Sequence, residues 1–187
     1  LFFRLLGGFG AGMMADRYGR KLPLMLSILW FSIFAGLSGF STSYAMLFAC
    51  RALFGIGMGG EWAAGMPLAI EHWPAKFRGL VSGLLQGGFY WGYIASALAF
   101  HYIYPYFASI SDPFSQELGS SIGWRVMFWI GVVPALFVLW IRSGVAESPV
   151  WLARKRQLGK EGRSTPAEGL SIIHLFRPDL RWVTVQT

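Results

Sequence analysis

The sequence predicts an all-α membrane protein, and three observations predict it. The chain has 187 residues, 55% of them hydrophobic and only 13% charged, against about 25% charged in soluble domains. It holds four apolar stretches of spanning length, where a membrane helix takes roughly 20 residues to cross about 30 Å of hydrocarbon. Its basic residues gather in alternate loops instead of spreading along the chain. No alternating strand pattern competes.

The first apolar stretch, residues 1–15, is too short to span and reads as the second half of a helix that starts earlier. No signal peptide is assigned to it. Four spans follow, at residues 24–43, 44–70, 80–104 and 124–141. The second of them carries Arg51 and Glu61. A soluble bundle does not call for four spans of this length in a row.

The loops set the orientation. Residues 16–23 hold Arg17, Arg20 and Lys21, and residues 71–79 hold Lys76 and Arg78. The turn near Ser41 has no charge, and residues 105–123 hold Asp112 and Glu117 with no Lys or Arg. From Arg142 to Arg163, six basic residues face Glu147 and Glu161. Positive loops are cytoplasmic, so 16–23, 71–79 and the tail lie inside. The net charge of +7 is therefore a topology signal, and nucleic acid is excluded as a partner.

Enzyme chemistry finds no support. A single cysteine, Cys50, precludes an internal disulfide and a CxxC metal site, and the three histidines, 72, 101 and 174, lack metal-ligand spacing. No Ser-His-Asp set converges, and "GMGGEW" lacks the GK[ST] ending of a phosphate loop. Neither a cofactor nor a metal is expected. His72 reads as a solvated loop residue, and His101 as an outer-interface group open to a pH-sensing role.

Between the first two apolar stretches stands "GAGMMADRYGRK", residues 10–21. Gly12 would let a neighbouring helix approach closely. Asp16 can pair with nearby basic groups or face a helix N-terminus. Gly19 allows a tight turn.

"GMMADRYGRK" resembles the G-x-x-x-D-R-x-G-R-[RK] signature of the major facilitator superfamily, matching at Gly12, Asp16, Arg17, Gly19, Arg20 and Lys21. "RALFGIGMGGE" is similar to the family's R-x-x-x-G-x-G pattern on helix 4, and "EHWPAKFRG" to E-x-x-P-x-x-x-R-G between helices 4 and 5. "ESPVWL" resembles the P-E-S-P-R-W-L motif after helix 6, with Ala146 at the first proline and Val150 at the arginine. That departure argues against a typical sugar porter. The stretch from "RALFGIGMGGEW" to "GLLQGGFYWGYIASAL" looks most like the sialate:proton symporter group, which includes lactate and other monocarboxylate permeases.

The resemblance implies a fragment of the major facilitator fold. It runs from the end of helix 2 through helix 6 and into the cytoplasmic linker. Residues 1–143 would be part of the N-terminal six-helix half, and 144–187 the linker towards a C-terminal half that is the rest of the same transporter. The implied function is proton-coupled symport of small organic anions, monocarboxylates such as lactate, across the plasma (inner) membrane. Sialic acid or a sugar is the alternative substrate, and a non-transporting membrane sensor the alternative of another class. The partners are a small organic anion, protons, the lipid bilayer and the other half of the transporter. In the family the first motif latches the cytoplasmic gate. The loop count puts Asp16, Arg17, Arg20, Glu71, Arg78 and Glu147 on that face, with Gly12 and Gly19 beside them.

Within the spans, Arg51, Gly55 and Gly59 recur at i, i+4, i+8, so a helix can pack close beside the charge. Arg51 either ties the bundle together or meets an anion, since a charge at this depth has a partner or faces a cavity. Glu61 lies about 80° around the helix and roughly 15 Å along it from Arg51, so the two cannot pair. A carboxyl that is neutral in the membrane and charged where water reaches it suits proton coupling; structural pairing is the other reading. On the next span Gln86, Tyr90, Tyr93 and Ala97 share a face that suits a substrate path or interhelical hydrogen bonds. The pairs Gly83–Gly87 and Gly88–Gly92 suit close packing. Trp62 and Trp91 face lipid or substrate, while Tyr102, Tyr104, Tyr106 and Trp124 read as an interfacial belt. Residues 147–159 should form a short helix capped by Ser148 with Pro149 first, its Arg154, Lys155 and Arg156 towards water or headgroups. Residues 160–169 should be a linker.

Overall fold

The computed structural model describes residues 2–114, 118–133 and 135–160. Eight α-helices follow one another there: α1 (Phe2–Tyr18), α2 (Lys21–Gly39), α3 (Tyr44–Glu71), α4 (Arg78–Tyr102), α5 (Tyr104–Ala108), α6 (Gly123–Ile130), α7 (Ala135–Gly144) and α8 (Pro149–Lys160). A 3-10 turn, Ala75–Phe77, joins α3 to α4. The β-structure among the described residues is one isolated bridge, Ser111 with Ser121.

At 1.5 Å per residue, α2, α3 and α4 are each long enough to cross a bilayer or nearly so. Among the described helices, α2 has both the length and the apolarity of a span. The other two are diluted by glycines and polar residues, which in α3 face neighbouring helices and in α4 stand open. Ser43 starts α3, its Oγ accepting the Met46 N–H at 3.3 Å.

The single span expected at 124–141 is carried instead by α6 and α7. Between them the bonds shorten to i→i−3, from Val132 N to Trp129 O and from Val133 N to Ile130 O. The sequence has a proline at position 134, and a proline inside a helix lacks an N–H and clashes with the preceding turn. The span expected to reach 104 ends at Tyr102, and α5 follows at once.

The packing centre is α3, gripped by α1 on one side and α2 on the other. Glycines set both distances. A Cβ on Gly7 would overlap the Ile56 carbonyl, one on Gly59 would overlap the Arg4 carbonyl, and one on Gly57 would press into Phe31. This is the small-residue packing that membrane helices use when lipid supplies no hydrophobic drive. Leu24 and Ile28 of α2 close a core with Ala64 and Leu68 of α3 and with Val138 and Ile141 of α7. By contrast α4 stands apart: Val81 is its one buried residue. Gly83, Gly87, Gly88 and Gly92 meet nothing within 4 Å, so the close packing expected of them has no partner among the described residues. The same holds for Gly12, because the helix that packs on α1 does so at Gly7 and Gly8.

Candidate functional site

The C-terminal ends of α1 and α3 and the N-terminal ends of α2 and α8 converge on one hydrogen-bonded network. It begins with a helix that cannot cap itself. Arg20 stands at the N-cap of α2 and makes no side-chain cap bond. The Glu147 carboxylate does the work from the other end of the chain. Its Oε1 accepts Arg20 N–H at 2.8 Å and Lys21 N–H at 3.3 Å, and Oε2 accepts Lys21 N–H at 3.3 Å. A negative group belongs there, where unpaired N–H groups and the helix dipole meet. Gly19 makes the approach possible: its φ is +99°, and a Cβ would overlap the carboxylate.

A second carboxylate extends the network. Glu71 pairs with the Arg20 guanidinium at 3.2 Å and accepts the Ser148 hydroxyl at 2.5 Å. The same hydroxyl oxygen accepts Trp151 N–H at 3.1 Å, so Ser148 caps α8 as expected while tying it to α3. Trp151 then donates its indole N–H to the Asp16 carbonyl at 3.0 Å, and Lys21 Nζ donates to the Arg142 carbonyl at 2.8 Å. Gly19, Arg20, Glu71 and Glu147 are thus brought together, and Asp16 joins through its backbone. Two expected members lie outside. Arg17 is exposed and stacks on Tyr18 at 5.3 Å, because its place on α1 turns it off the α8 face. Arg78 Nε turns back to the Trp73 carbonyl at 3.2 Å. The sequence reading missed Ser148 as a partner of Glu71, and also missed Trp151. The linker expected at 160–169 lies, beyond Lys160, outside the described residues.

Within the spans Arg51 is tied to α2. Its Nε and one terminal nitrogen donate to Ser38 Oγ of α2 at 3.1 and 2.7 Å, and its guanidinium lies 4.3 and 4.5 Å from the Phe54 and Phe128 ring centres. The glycines on its face turn instead to α1, Gly55 to Phe3 and Gly59 to Arg4 and Gly8. Each step of four residues drifts about 40° around a helix, which separates Arg51 from Gly59 enough to serve two neighbours. Glu61 is half-buried, and a Cβ built on Gly65, one turn further along α3, would lie 3.5 Å from its Oε1. Arg4 itself lies 5.7 Å from the Trp62 ring centre. The sequence reading passed over Arg4 because it sits in a short apolar stretch; its signal was a lone charge within that stretch.

Gln86 and Tyr90 on α4 are exposed and touch neither Arg51 nor Glu61. Tyr93 and Ala97, from the same stripe, line a cleft of about 500 Å³ with Phe100, Tyr104, Trp124 and Phe128. At the opposite end of the helices from the Glu147 network, Arg125 is fully buried and pairs with Asp112 at 2.7 Å. It also donates to the Gly39 and Ser41 carbonyls at 2.9 and 2.5 Å. The sequence reading had left Asp112 as a plain loop acid.

The chain thus has apolar helices packed through glycines and joined at one end by a charge network, with Arg51 and Glu61 inside the longest of them. Residues 1–169 match the model described as "Sugar (and other) transporter", and the chain belongs to that family of the major facilitator superfamily. It is 40% identical over 152 residues to a "Probable 4-methylmuconolactone transporter" of Cupriavidus pinatubonensis, covering 81% of this chain and 33% of that protein. It is likewise 40% identical over 152 residues to the "Sialic acid transporter NanX" of Escherichia coli, covering 81% of this chain and 34% of the relative. The chain therefore spans about a third of the length of these curated relatives. The inward open conformation of the xylose transporter XylE from E. coli superposes with a TM-score of 0.66 at 22% identity, covering all of this chain and 42% of that one. At that identity the likeness shows the fold alone. The chain is thus part of a multi-pass membrane protein.

Proposed function

We propose that this chain is part of a proton-coupled symporter of small organic anions in the plasma (inner) membrane. Residues 1–143 serve in one transport half and residues 144–187 lead towards the other. Glu61 carries this reading. It is the one acidic residue within the membrane lengths of α1 to α4, ten residues, or roughly 15 Å, from the cytoplasmic end of α3. Acids at that depth are costly and are kept for ion or proton paths. The carboxyl takes a proton from the outside, crosses neutral, and gives the proton up when the inside opens. Arg20, Glu71, Glu147 and Gly19, with Ser148 and Trp151, latch the cytoplasmic side while the outside is open; Asp16 contributes through its carbonyl. The stripe of Gln86 and Tyr90 faces the path. Monocarboxylates such as lactate are the first substrate class; sialic acid is the second, favoured by the likeness to a sialic acid transporter.

The test is uptake of labelled lactate and of sialate by the full-length transporter in proteoliposomes. Wild type accumulates one of them uphill when the outside is acid. Glu61→Gln, neutral at every pH, loses uphill accumulation and keeps counterflow exchange. Full uphill accumulation by Glu61→Gln overturns the proton role. Uptake of neither by wild type returns the chain to the sensor reading.

A further inference from the structure

Charge is unevenly spread over the surface of the bundle. Among the described residues no acidic side chain is exposed, while seven basic residues are. All seven stand at the end that carries the Glu147 network. Arg17 closes α1, Lys76 and Arg78 stand where α4 begins, and Arg142 lies at the end of α7; Arg154, Lys155 and Arg156 are on α8. The acids near this end are set back from the surface. Glu71 holds Arg20 and Ser148, Glu147 holds the first N–H groups of α2, and half-buried Asp16 stands beside Trp151. An inward loop needs only an excess of basic residues; it does not call for every acid to be withdrawn from the surface.

The cations adjoin aromatic rings and an apolar stripe. Arg17 lies 5.3 Å from the Tyr18 ring centre, Lys76 5.9 Å from that of Phe77, and Lys155 4.9 Å from that of Trp151. The Trp151 indole donates to the Asp16 carbonyl at 3.0 Å, so Lys155 and Arg17 belong to one corner of this surface. The stripe starts at Lys76 and Arg78 and runs along α4. Leu80, Leu84, Trp91 and Leu98 are exposed and fall within about 40° of one another around the helix. Phe77, also exposed, stands at their head.

That order of groups matches a phospholipid: an apolar stripe for its chains, aromatic rings at the membrane–water interface, and cations at the phosphate. A free anion or an acidic peptide would use the cations and leave the stripe bare. We propose that this end of the bundle docks the headgroups of anionic phospholipids at two basic centres, Lys76 and Arg78 above the α4 stripe and Arg154, Lys155 and Arg156 on α8. The lipids are those of the cytoplasmic leaflet, which carries the anionic headgroups, so this rests on the reading that puts this end inside. Each basic group near such a surface strengthens attachment about fivefold, and salt weakens it. The helix α8 gains most. Its first turn is tied to the bundle through Ser148 and Trp151, and its basic residues follow directly after. Headgroups that hold them give α8 a second attachment, so anionic lipid stabilises α8 in its docked position.

The experiment measures binding of fluorescent phosphatidylglycerol and phosphatidylcholine to the purified full-length transporter in detergent. Alongside it, hydrogen exchange of the α8 amides is followed in nanodiscs of phosphatidylcholine, with and without phosphatidylglycerol. Wild type prefers phosphatidylglycerol at least tenfold at low salt, the preference shrinks as salt rises, and α8 exchanges severalfold more slowly in the anionic nanodiscs. The triple variant Arg154→Gln, Lys155→Gln, Arg156→Gln keeps its helix propensity, lowers the preference at least fivefold and exchanges alike in both nanodiscs. Lys76→Gln lowers the preference by a smaller factor and leaves the α8 difference in place. Arg154→Lys with Arg156→Lys keeps the wild-type preference, because the charge is kept. Equal binding of the two lipids by wild type, or an undiminished preference in the triple variant, overturns the inference. So does a triple variant that melts below wild type in pure phosphatidylcholine, since an acidic protein segment then covers α8. A preference erased by inorganic phosphate at constant ionic strength also overturns it, in favour of a free-phosphate site. Labelling of Arg154→Cys from outside the cell by an impermeant thiol reagent overturns the inward reading on which it rests.

Discussion

Glu147 caps a helix whose first residues lie 126 and 127 positions earlier: its carboxylate accepts the backbone N–H of Arg20 at 2.8 Å and that of Lys21 at 3.3 Å. The cap of α2 is thereby made a contact between the two ends of the half-bundle. When α8 moves away, α2 loses its anion as well as a neighbour. Glu147→Ala should therefore cost about 1–2 kcal/mol, the upper part of the range for a lost cap. Glu147→Gln keeps an acceptor oxygen and should cost less. Thermal melting of the full-length protein measures both. Equal losses for the two variants would mean that the charge rather than the hydrogen bonds supplies the stability.

Gly19 is the counterpart of that cap. Its φ of +99° is a conformation that costs an L-residue about 1–2 kcal/mol, and a Cβ would also overlap the Glu147 carboxylate. Gly19→Ala should lower stability by more than the backbone term alone. Gly12→Ala, where a Cβ meets nothing within 4 Å, should be neutral or gain up to about 1 kcal/mol of helix propensity. The pair of melting curves separates a structural glycine from a permissive one within a single motif.

The two glycines also mark how much of this molecule was legible beforehand. Apolar length placed α2, α3 and α4 within a few residues, because the bilayer fixes length; it did not foresee the break between α6 and α7 or the short α5. The family motif gathered the right loops. It did not separate Arg20, which pairs with Glu71, from Arg17, which turns away, since that depends on helix rotation. Ser148 was legible as a cap but not as a donor to Glu71, because the second role comes from an element 77 residues distant. Arg4 and Arg125 were overlooked for one reason. Neither lone basic residue belongs to a motif, and what each one touches depends on helices distant in sequence, α3 for Arg4 and the end of α2 for Arg125.

Trp151 links the network to α1 through the Asp16 carbonyl, and this bond is separable from the Asp16 side chain. Trp151→Phe keeps an aromatic ring and removes the N–H, at a cost of about 0.5–1.5 kcal/mol to the network. That should raise the accessibility of cysteines placed on the cytoplasmic path severalfold while leaving the protein folded. Asp16→Asn leaves the carbonyl bond in place, so any shift it causes reports on the side chain alone. Unchanged accessibility in both variants would count against a part for α8 and Asp16 in the proposed latch.

On the outer side the buried pair of Arg125 and Asp112 makes a sharper prediction. Both side chains are fully buried and 2.7 Å apart. Arg125 also supplies the donors for the Gly39 and Ser41 carbonyls at the end of α2, and Asp112 accepts the Phe114 N–H at 2.9 Å. Removing one member leaves an uncompensated charge in a dry site, at a cost of about 3–5 kcal/mol. Removing both takes away that penalty but still leaves the two carbonyls and one N–H without their partners, at about 1–3 kcal/mol for each unsatisfied group. Asp112→Leu and Arg125→Met should each be severe, then, and the double variant should lose clearly less than their sum, by more than about 1 kcal/mol. It should still melt below wild type, because the end of α2 depends on Arg125 for more than charge balance. Melting of the four proteins in one detergent closes the cycle. Additive losses would mean that the two residues act independently, and that the outer loop is held to α2 by its backbone contacts alone.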